Sequence, residues 1–349
     1  MSMDEKVERL REILRECGSV CIGYSGGVDS VFLAYMAVET LGADRVLAVT
    51  GRSAAYPAVQ HDVALDCVRR FGIPHDEIET DELSDPDYTA NPANRCYYCK
   101  SELWPKLQEV ARQRGLRTVL DGSNADDAHD YRPGFTAAQE HSVRSPLLEA
   151  GLTKDDIREL SRQRGLPTWD QPSAPCLSSR LPYGVAVTPA RLRQVEDAET
   201  ILRDMGFVVF RVRHHDDVLR IEVAPDELPA AERQAARIAG AFHAAALPQP
   251  LLDAEGYRRG ALNEVLVRIG GSSDPAPAGA SGHHARGGGD VALPEHEAAG
   301  HHRDICVLAG CSTAGARELA AAARTAGFRY VAIPLDPALR DSAAGAACA

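Results

Sequence analysis

Two stretches of the 349-residue chain carry residue types able to do chemistry. The first is Ser25-Gly26-Gly27-Val28-Asp29-Ser30, set between the apolar run Ser19–Tyr24 and the apolar segment VFLAYMAVETLG. Adjacent glycines let the backbone turn tightly and bring its N–H groups up to an anion, and a helix starting there adds partial positive charge. Ser25 and Ser30 supply hydroxyl donors, and Asp29 can hold Mg²⁺ or a water beside phosphates. No Gly-Lys-Ser/Thr follows, so this is not a Walker A loop; the competing reading is a plain Gly-Gly turn capped by Ser and Asp. The second stretch surrounds Cys176 in WDQPSAPCLSSRLPYG, Trp169 to Gly184. Prolines stiffen the chain on both sides, and Arg180 follows four residues on. A helical turn after Cys176 would favour its thiolate. A small buried hydrophobe is the equally weighted alternative from residue types alone.

Other residues are candidates for supporting roles. Arg211 and Arg213 alternate on an expected strand, so both point to one face, where two guanidiniums suit a phosphate or a carboxylate. A solvated strand face is the plain alternative. Glu196, Glu199 and Glu222 come from neighbouring elements and are candidate metal ligands, although surface ion pairing explains any one of them as well. Asn124, Asp126 and Asp127 follow an expected strand at its carboxyl end, where ligands bind in open α/β sheets; an Asx-rich turn explains them equally well. Cys96 and Cys99 form a lone Cys-x-x-Cys, half of a zinc or cluster site, with no second pair at ribbon spacing. A redox pair or structural thiols compete with metal there. If the Cys176 loop folded over the sheet edge, the three thiolates would suit a [4Fe–4S] cluster with one open iron.

These residues need elements to hold them. A helical stripe over 4–17 precedes the strand 19–24, and expected strands at Arg45–Val49, His75–Glu79 and Arg117–Asp121 alternate with helices at 58–71 and Ser101–Arg114. That alternation predicts an α/β fold with a doubly wound parallel sheet. A helix from Thr153 to Arg164 opens on a Thr cap, and 167–184 reads as an ordered loop. Beyond it, a helix over Pro189–Met205, strands at Phe207–Arg213 and Val218–Val223, and a helix over Asp226–Ala246 make a smaller α+β domain. The expected organisation is therefore a first domain over 1–185, a second over 186–268, and a tail over 269–349. Sixteen of the 21 residues from Gly270 to Asp290 are Gly, Ala, Ser or Pro, a linker composition. The pieces 304–309 and 328–335 read either as strands around an Ala-rich helix or as part of a disordered tail. The tail's five histidines read as polar filler or, less simply, as metal ligands.

Composition restricts the partners. Lys+Arg 38 against Asp+Glu 50 gives a net charge of −12, which argues against a protein that embraces a nucleic acid. No apolar run is long enough for a transmembrane helix, and the charged N-terminus lacks a signal-peptide core. Nine scattered cysteines, an odd number, indicate free thiols in a reducing cytoplasm.

The SGGVDS loop after the first strand resembles the signature of the PP-loop ATP pyrophosphatases, which adenylate an oxygen of their substrate and release pyrophosphate. W-x-x-P-x-x-x-C-L-x-S-R-x-P-Y-G, together with RCYYCK at 95–100, GSNADD at 122–127 and EGYRRGALNE at 255–264, looks like the LarE family of ATP-dependent sacrificial sulfur transferases. The match runs collinearly over about three quarters of the chain. The resemblance implies adenylation of a carboxylate of pyridinium-3,5-biscarboxylic acid mononucleotide, with ATP and Mg²⁺, on the way to a nickel-pincer nucleotide. Cys176 would then donate its sulfur and remain as dehydroalanine. It further implies phosphate and substrate contacts from Ser179, Arg180, Arg211, Arg213, Asn124 and Asp127, metal contacts from Asp29, Glu199 and Glu222, and a homo-oligomer. Two rival expectations are a tRNA sulfurtransferase of the same superfamily, for which −12 is an awkward charge, and a non-enzymatic ATP-binding module.

Overall fold

The computed structural model describes residues 1–129, 133–258, 298–302, 305–308, 311–325 and 329–337. The chain divides into two units, Met1–Cys176 and Leu177–Ala349, a little before the 185/186 boundary expected from sequence.

The first unit opens with α1 (Met3–Cys17), closed at its N-terminus by a Ser2–Glu5 capping box, and β1 (Val20–Gly23). Then come α2 (Val28–Leu41), β2 (Val46–Arg52), α3 (Ala58–Phe71) and β3 (His75–Glu79). The short α4 (Pro86–Thr89) precedes α5 (Arg95–Gln113) and β4 (Thr118–Leu120). The unit ends through α6 (Pro133–Glu140), α7 (Pro146–Glu149) and α8 (Lys154–Gln163). The four strands lie in the order β3-β2-β1-β4, all parallel. Alternation along β1 separates two cores. Val20 and Ile22 pack with α1 and α2, whereas Cys21 packs with Trp104 and Leu107 of α5. Both faces are thus covered by helices, as a doubly wound α/β sheet requires. Sheet order reverses around β1, with its neighbours β2 and β4 on opposite sides. The loops leaving β1 and β4 therefore open at one switch point, where such sheets bind ligands.

Two helices depart from the sequence expectation. α5 begins at Arg95, ahead of the expected Ser101, and contains Pro105. Its first turn has no apolar stripe; it is anchored by buried Arg95, which donates to Asn91 Oδ1. Cys96 and Cys99 therefore lie in a helical first turn. The expected single helix over 226–246 is two, α10 (Leu228–Arg233) and α11 (Ala235–Ala244), separated at Gln234.

The second unit holds α9 (Pro189–Asp204), β5 (Phe210–His215), β6 (Val218–Val223), the helices α10 and α11, and β7 (Gln249–Asp253). Farther on are β8 (Ala298–His302), β9 (Ile305–Leu308), α12 (Thr313–Glu318), α13 (Ala320–Thr325) and β10 (Tyr330–Pro334). Its mixed sheet has the order β5-β6-β7-β10-β9-β8. β9 and β10 are parallel and β10 runs antiparallel to β7, so these late strands belong to the second unit's sheet. The Gly/Ala-rich run 270–290, the histidines at 283, 284 and 296, and 259–264 of the last motif lie outside the described residues. No helix among the described residues is long and apolar enough to cross a membrane.

Candidate active site

In the first unit, the loop from Ser25 to Ser30 turns out of β1 into α2. Gly26 has φ +70°, and a Cβ there would lie 2.6 Å from the Ala64 Cβ on α3, so only glycine fits. Gly27 is the N-cap of α2 and makes no side-chain cap bond. The two serines brace the loop instead. Ser25 N donates to Ser30 Oγ at 3.2 Å, and Ser30 Oγ donates to Gly27 O at 3.1 Å. The loop after β4 closes against this turn: a Cβ on Gly122 would stand 3.2 Å from Ser30 N. Asn124 Nδ2 donates to Asp29 Oδ1 at 3.4 Å, and Asn124 N donates to Asp127 Oδ2 at 3.0 Å. Asp126 Oδ2 accepts from Lys154 N at 2.8 Å. Asn124 therefore meets the phosphate loop directly, and Asp126 and Asp127 order the loop that carries it.

Sequence reasoning missed Lys154. Its Nζ lies 2.5 Å from Asp29 Oδ2, with both side chains about a quarter exposed (28% and 24%). The side chain comes from the first residue of α8, fixed by the Thr153–Asp156 capping box. Arg158, four residues on and hence on the same helix face, donates to Trp169 O at 2.6 Å and Gln171 O at 2.8 Å. One helix thus supports both the phosphate loop and the segment leading to Cys176. The readable signal was the pair of cations four apart directly after the Thr cap.

Cys176 is the last residue of the first unit and is half-buried. Burial pushes the Cys99 thiol up to about 12. Burial also raises Cys96, and neighbouring Cys176 adds to the rise. Cys96 nonetheless reaches the surface: its chain neighbourhood is dense while its own side chain is exposed. The three thiols are thus close enough to feel one another's charge. Among the described residues, however, no group of three or more His, Cys, Asp or Glu is gathered to hold a metal ion.

In the second unit, the remaining predicted residues meet on one face of the β5–β6 hairpin. The register sets Arg211 opposite Glu222 and Arg213 opposite Arg220, while Phe210 and Val212 turn to the apolar core. Arg213 Nε donates to Glu222 Oε2 at 3.1 Å and its Nη1 to Ser179 O at 2.9 Å. Arg220 Nη1 lies 2.9 Å from Glu222 Oε1 and also bonds Asp253. Burial opposes the charge on Glu222, but Arg220 and Arg213 outweigh it and hold the carboxyl below its ordinary range. Ser178 and Arg180 are buried in the short turn Leu177–Arg180. Arg180 grips Glu199 of α9 with two bonds, at 2.8 and 3.0 Å, and Glu199 Oε1 also accepts from Val212 N at 3.2 Å. Arg211 stacks over Tyr257, 5.2 Å from the ring centre, and donates to Phe210 O. Glu199 and Glu222, the carboxylates expected to bind metal, lie within these pairs. Both oxygens of each carboxylate carry bonds from guanidinium groups, which a cation would have to displace. Glu196 lies on α9.

A glycine-serine phosphate loop at the switch point of an all-parallel sheet defines a PP-loop ATP pyrophosphatase domain. A family model described as NAD synthase matches residues 2–92, which hold this loop. The chain is 41% identical over 268 residues to an uncharacterized protein of Synechocystis sp., covering 76% of this chain and all of the relative. It is 33% identical over 255 residues to the pyridinium-3,5-bisthiocarboxylic acid mononucleotide synthase of Lactiplantibacillus plantarum, covering 73% of this chain and 92% of that one. A weaker likeness, 25% over 225 residues, extends to an uncharacterized protein of Methanocaldococcus jannaschii, covering 64% of this chain and 85% of that one. The chain belongs to the LarE family.

Proposed function

We propose that the protein uses ATP to adenylate a carboxylate of pyridinium-3,5-biscarboxylic acid mononucleotide and then gives that carbon the sulfur of Cys176. The observation that carries this reading is the presence, in one folded unit, of a phosphate loop and a half-buried Cys176. The likeness to the Lactiplantibacillus plantarum synthase supplies the substrate class.

The substrate carboxylate attacks the α-phosphorus of ATP, and pyrophosphate leaves. Backbone N–H groups of Ser25–Ser30, the N-terminus of α2 and Lys154 oppose the charge that develops on the leaving group. Asp29 is the residue that would hold Mg²⁺; a single carboxylate suits an ion that takes most of its ligands from phosphates and water. Mg²⁺, when bound, supplies charge neutralisation at the phosphates. Asn124 and Lys154 orient the Asp29 carboxylate. The Cys176 thiolate then attacks the acyl-adenylate carbonyl, forming a C–S bond as the C–O bond to AMP breaks. Loss of the Cys176 Cα proton with cleavage of its Cβ–S bond leaves a thiocarboxylate on the substrate and dehydroalanine in the chain. Ser179, Arg180, Arg211 and Arg213, in the second unit, carry the hydroxyl and guanidinium donors that suit a phosphate or a carboxylate.

Intact-protein mass spectrometry after one round of reaction tests this. The chain should lose H₂S, about 34 Da, as one thiocarboxylate forms. Cys176→Ala should abolish sulfur transfer while sparing pyrophosphate release. Product formation with an unchanged chain mass would sink the sacrificial step. The alternative expected from sequence, a [4Fe–4S] cluster on Cys96, Cys99 and Cys176, has less behind it, because no group of three metal-ligating side chains is gathered among the described residues; anaerobically purified protein that is brown, absorbs at about 400 nm and keeps its mass on reaction would favour it.

A further inference from the structure

Gln60 lies in the first turn of α3, is 2% exposed, and faces the phosphate loop: a Cβ on Gly26 would stand 3.0 Å from its Nε2. Its Oε1 accepts from Gln171 Nε2 at 2.9 Å. An amide–amide pair uses one donor and one acceptor, so each side chain keeps an outer polar atom. Those atoms are Gln60 Nε2 and Gln171 Oε1, both shut off from solvent and both without a hydrogen-bond partner among the described residues. Buried polar atoms are nearly always partnered, and a donor left open against a phosphate loop points to a ligand that satisfies it. Gln171 is held from its other side as well, since Arg158 of α8 bonds its carbonyl and that of Trp169. Five residues later the same segment reaches Cys176.

We propose that the Gln60–Gln171 pair couples occupancy of the phosphate loop to the order of the segment Trp169–Cys176. A phosphate oxygen in the loop accepts from Gln60 Nε2 and fixes the Gln60 amide. The fixed amide then holds Gln171, and with it the backbone that presents Cys176. The inference rests on reading Ser25–Ser30 as the ATP site. Its chemical use is timing: an acyl-adenylate is open to water, so a nucleophile ordered while nucleotide is bound limits wasteful hydrolysis. Gln60 and Gln171 are positioning residues; neither touches the reacting atoms.

Hydrogen exchange on the full chain, with and without Mg²⁺ and the non-cleavable α,β-methylene ATP, reads this coupling directly. In the wild type the analogue should slow exchange of peptides spanning 169–176 by roughly tenfold. Gln60→Leu and Gln171→Leu should bind the analogue yet lose that slowing. Gln60→Glu keeps an acceptor for Gln171 but turns a negative oxygen toward the phosphate, so it should weaken analogue binding more than Gln60→Leu does. Gln171 is only half-buried, so Gln171→Leu keeps the test open if Gln60→Leu does not fold. Equal slowing in wild type and folded Leu variants, or analogue binding to the wild type with no slowing at 169–176, overturns the coupling alone. Failure of the wild type to bind the analogue overturns the ATP reading and the coupling with it.

Discussion

Replacing Lys154 with methionine separates a structural cation from one that handles phosphate. The ammonium sits 2.5 Å from Asp29 Oδ2, with both groups about a quarter exposed. A pair so accessible contributes roughly 0–1 kcal/mol to folding, because solvent screens it and two long side chains must be ordered. The melting temperature of Lys154→Met should therefore fall by no more than roughly 2–4 °C. The cost on ATP should be larger. A hydrogen bond from a charged donor contributes about 1.5–3 kcal/mol, and each 1.4 kcal/mol is about tenfold in affinity. The KM for ATP in a pyrophosphate-release assay should rise about 10- to 100-fold, and Lys154→Arg should recover part of the loss. A wild-type KM together with a large drop in melting temperature would show that Lys154 serves the fold alone, and the argument would fail.

Two further predictions concern the second unit. Glu222→Gln removes the carboxylate shared by Arg213 and Arg220 and leaves two buried guanidiniums without it, at a cost of about 3–5 kcal/mol in urea unfolding; a loss below about 1 kcal/mol would mean the network is solvated. Burial lowers His214 from 6.5 to about 4, so between those values the unfolded chain binds more protons than the folded one. Stability should therefore rise with pH from about 4 to 6.5 and level off above. Replacing the histidine in His214→Gln should flatten part of that slope, and an unchanged pH profile would contradict the assignment.

The first unit was largely legible because its signals are local. Apolar runs marked β1 and β2, the 58–71 stripe matched α3, and the Thr153 cap opened α8 where expected. The phosphate loop was legible because its Ser-Gly-Gly-x-Asp-Ser run is contiguous in sequence, and Gly26 takes the positive φ its turn requires. The start of α5 was not, because Arg95–Lys100 has no apolar stripe and is held by a buried Arg95–Asn91 bond. Pairings across long sequence distances were equally hidden. Lys154 and Asp29 are 125 residues apart and Gln60 and Gln171 are 111 apart, and tertiary packing brings each pair together, with α8 lying against α2 in the first. The partners of β9 and β10 could not be read from their own residues, since pairing with β7 depends on sheet order.

The carboxylates first read as metal ligands explain how a chain with a net charge of −12 keeps arginines buried on one face. Four bare guanidiniums could not share one buried face, because the cost of removing them from water would exceed what folding supplies. Glu199, Glu222 and Asp253 make that burial tolerable for Arg180, Arg213 and Arg220. The carboxylates also fix the guanidinium planes of Arg180, Arg213 and Arg220. A phosphate or carboxylate would meet guanidiniums already desolvated and oriented, the condition under which electrostatic recognition is strongest. A cation bound at Glu199 or Glu222 would undo this by releasing Arg180 or Arg213. The acidic residues therefore hold these arginines in place, which is the arrangement the proposed anion binding requires.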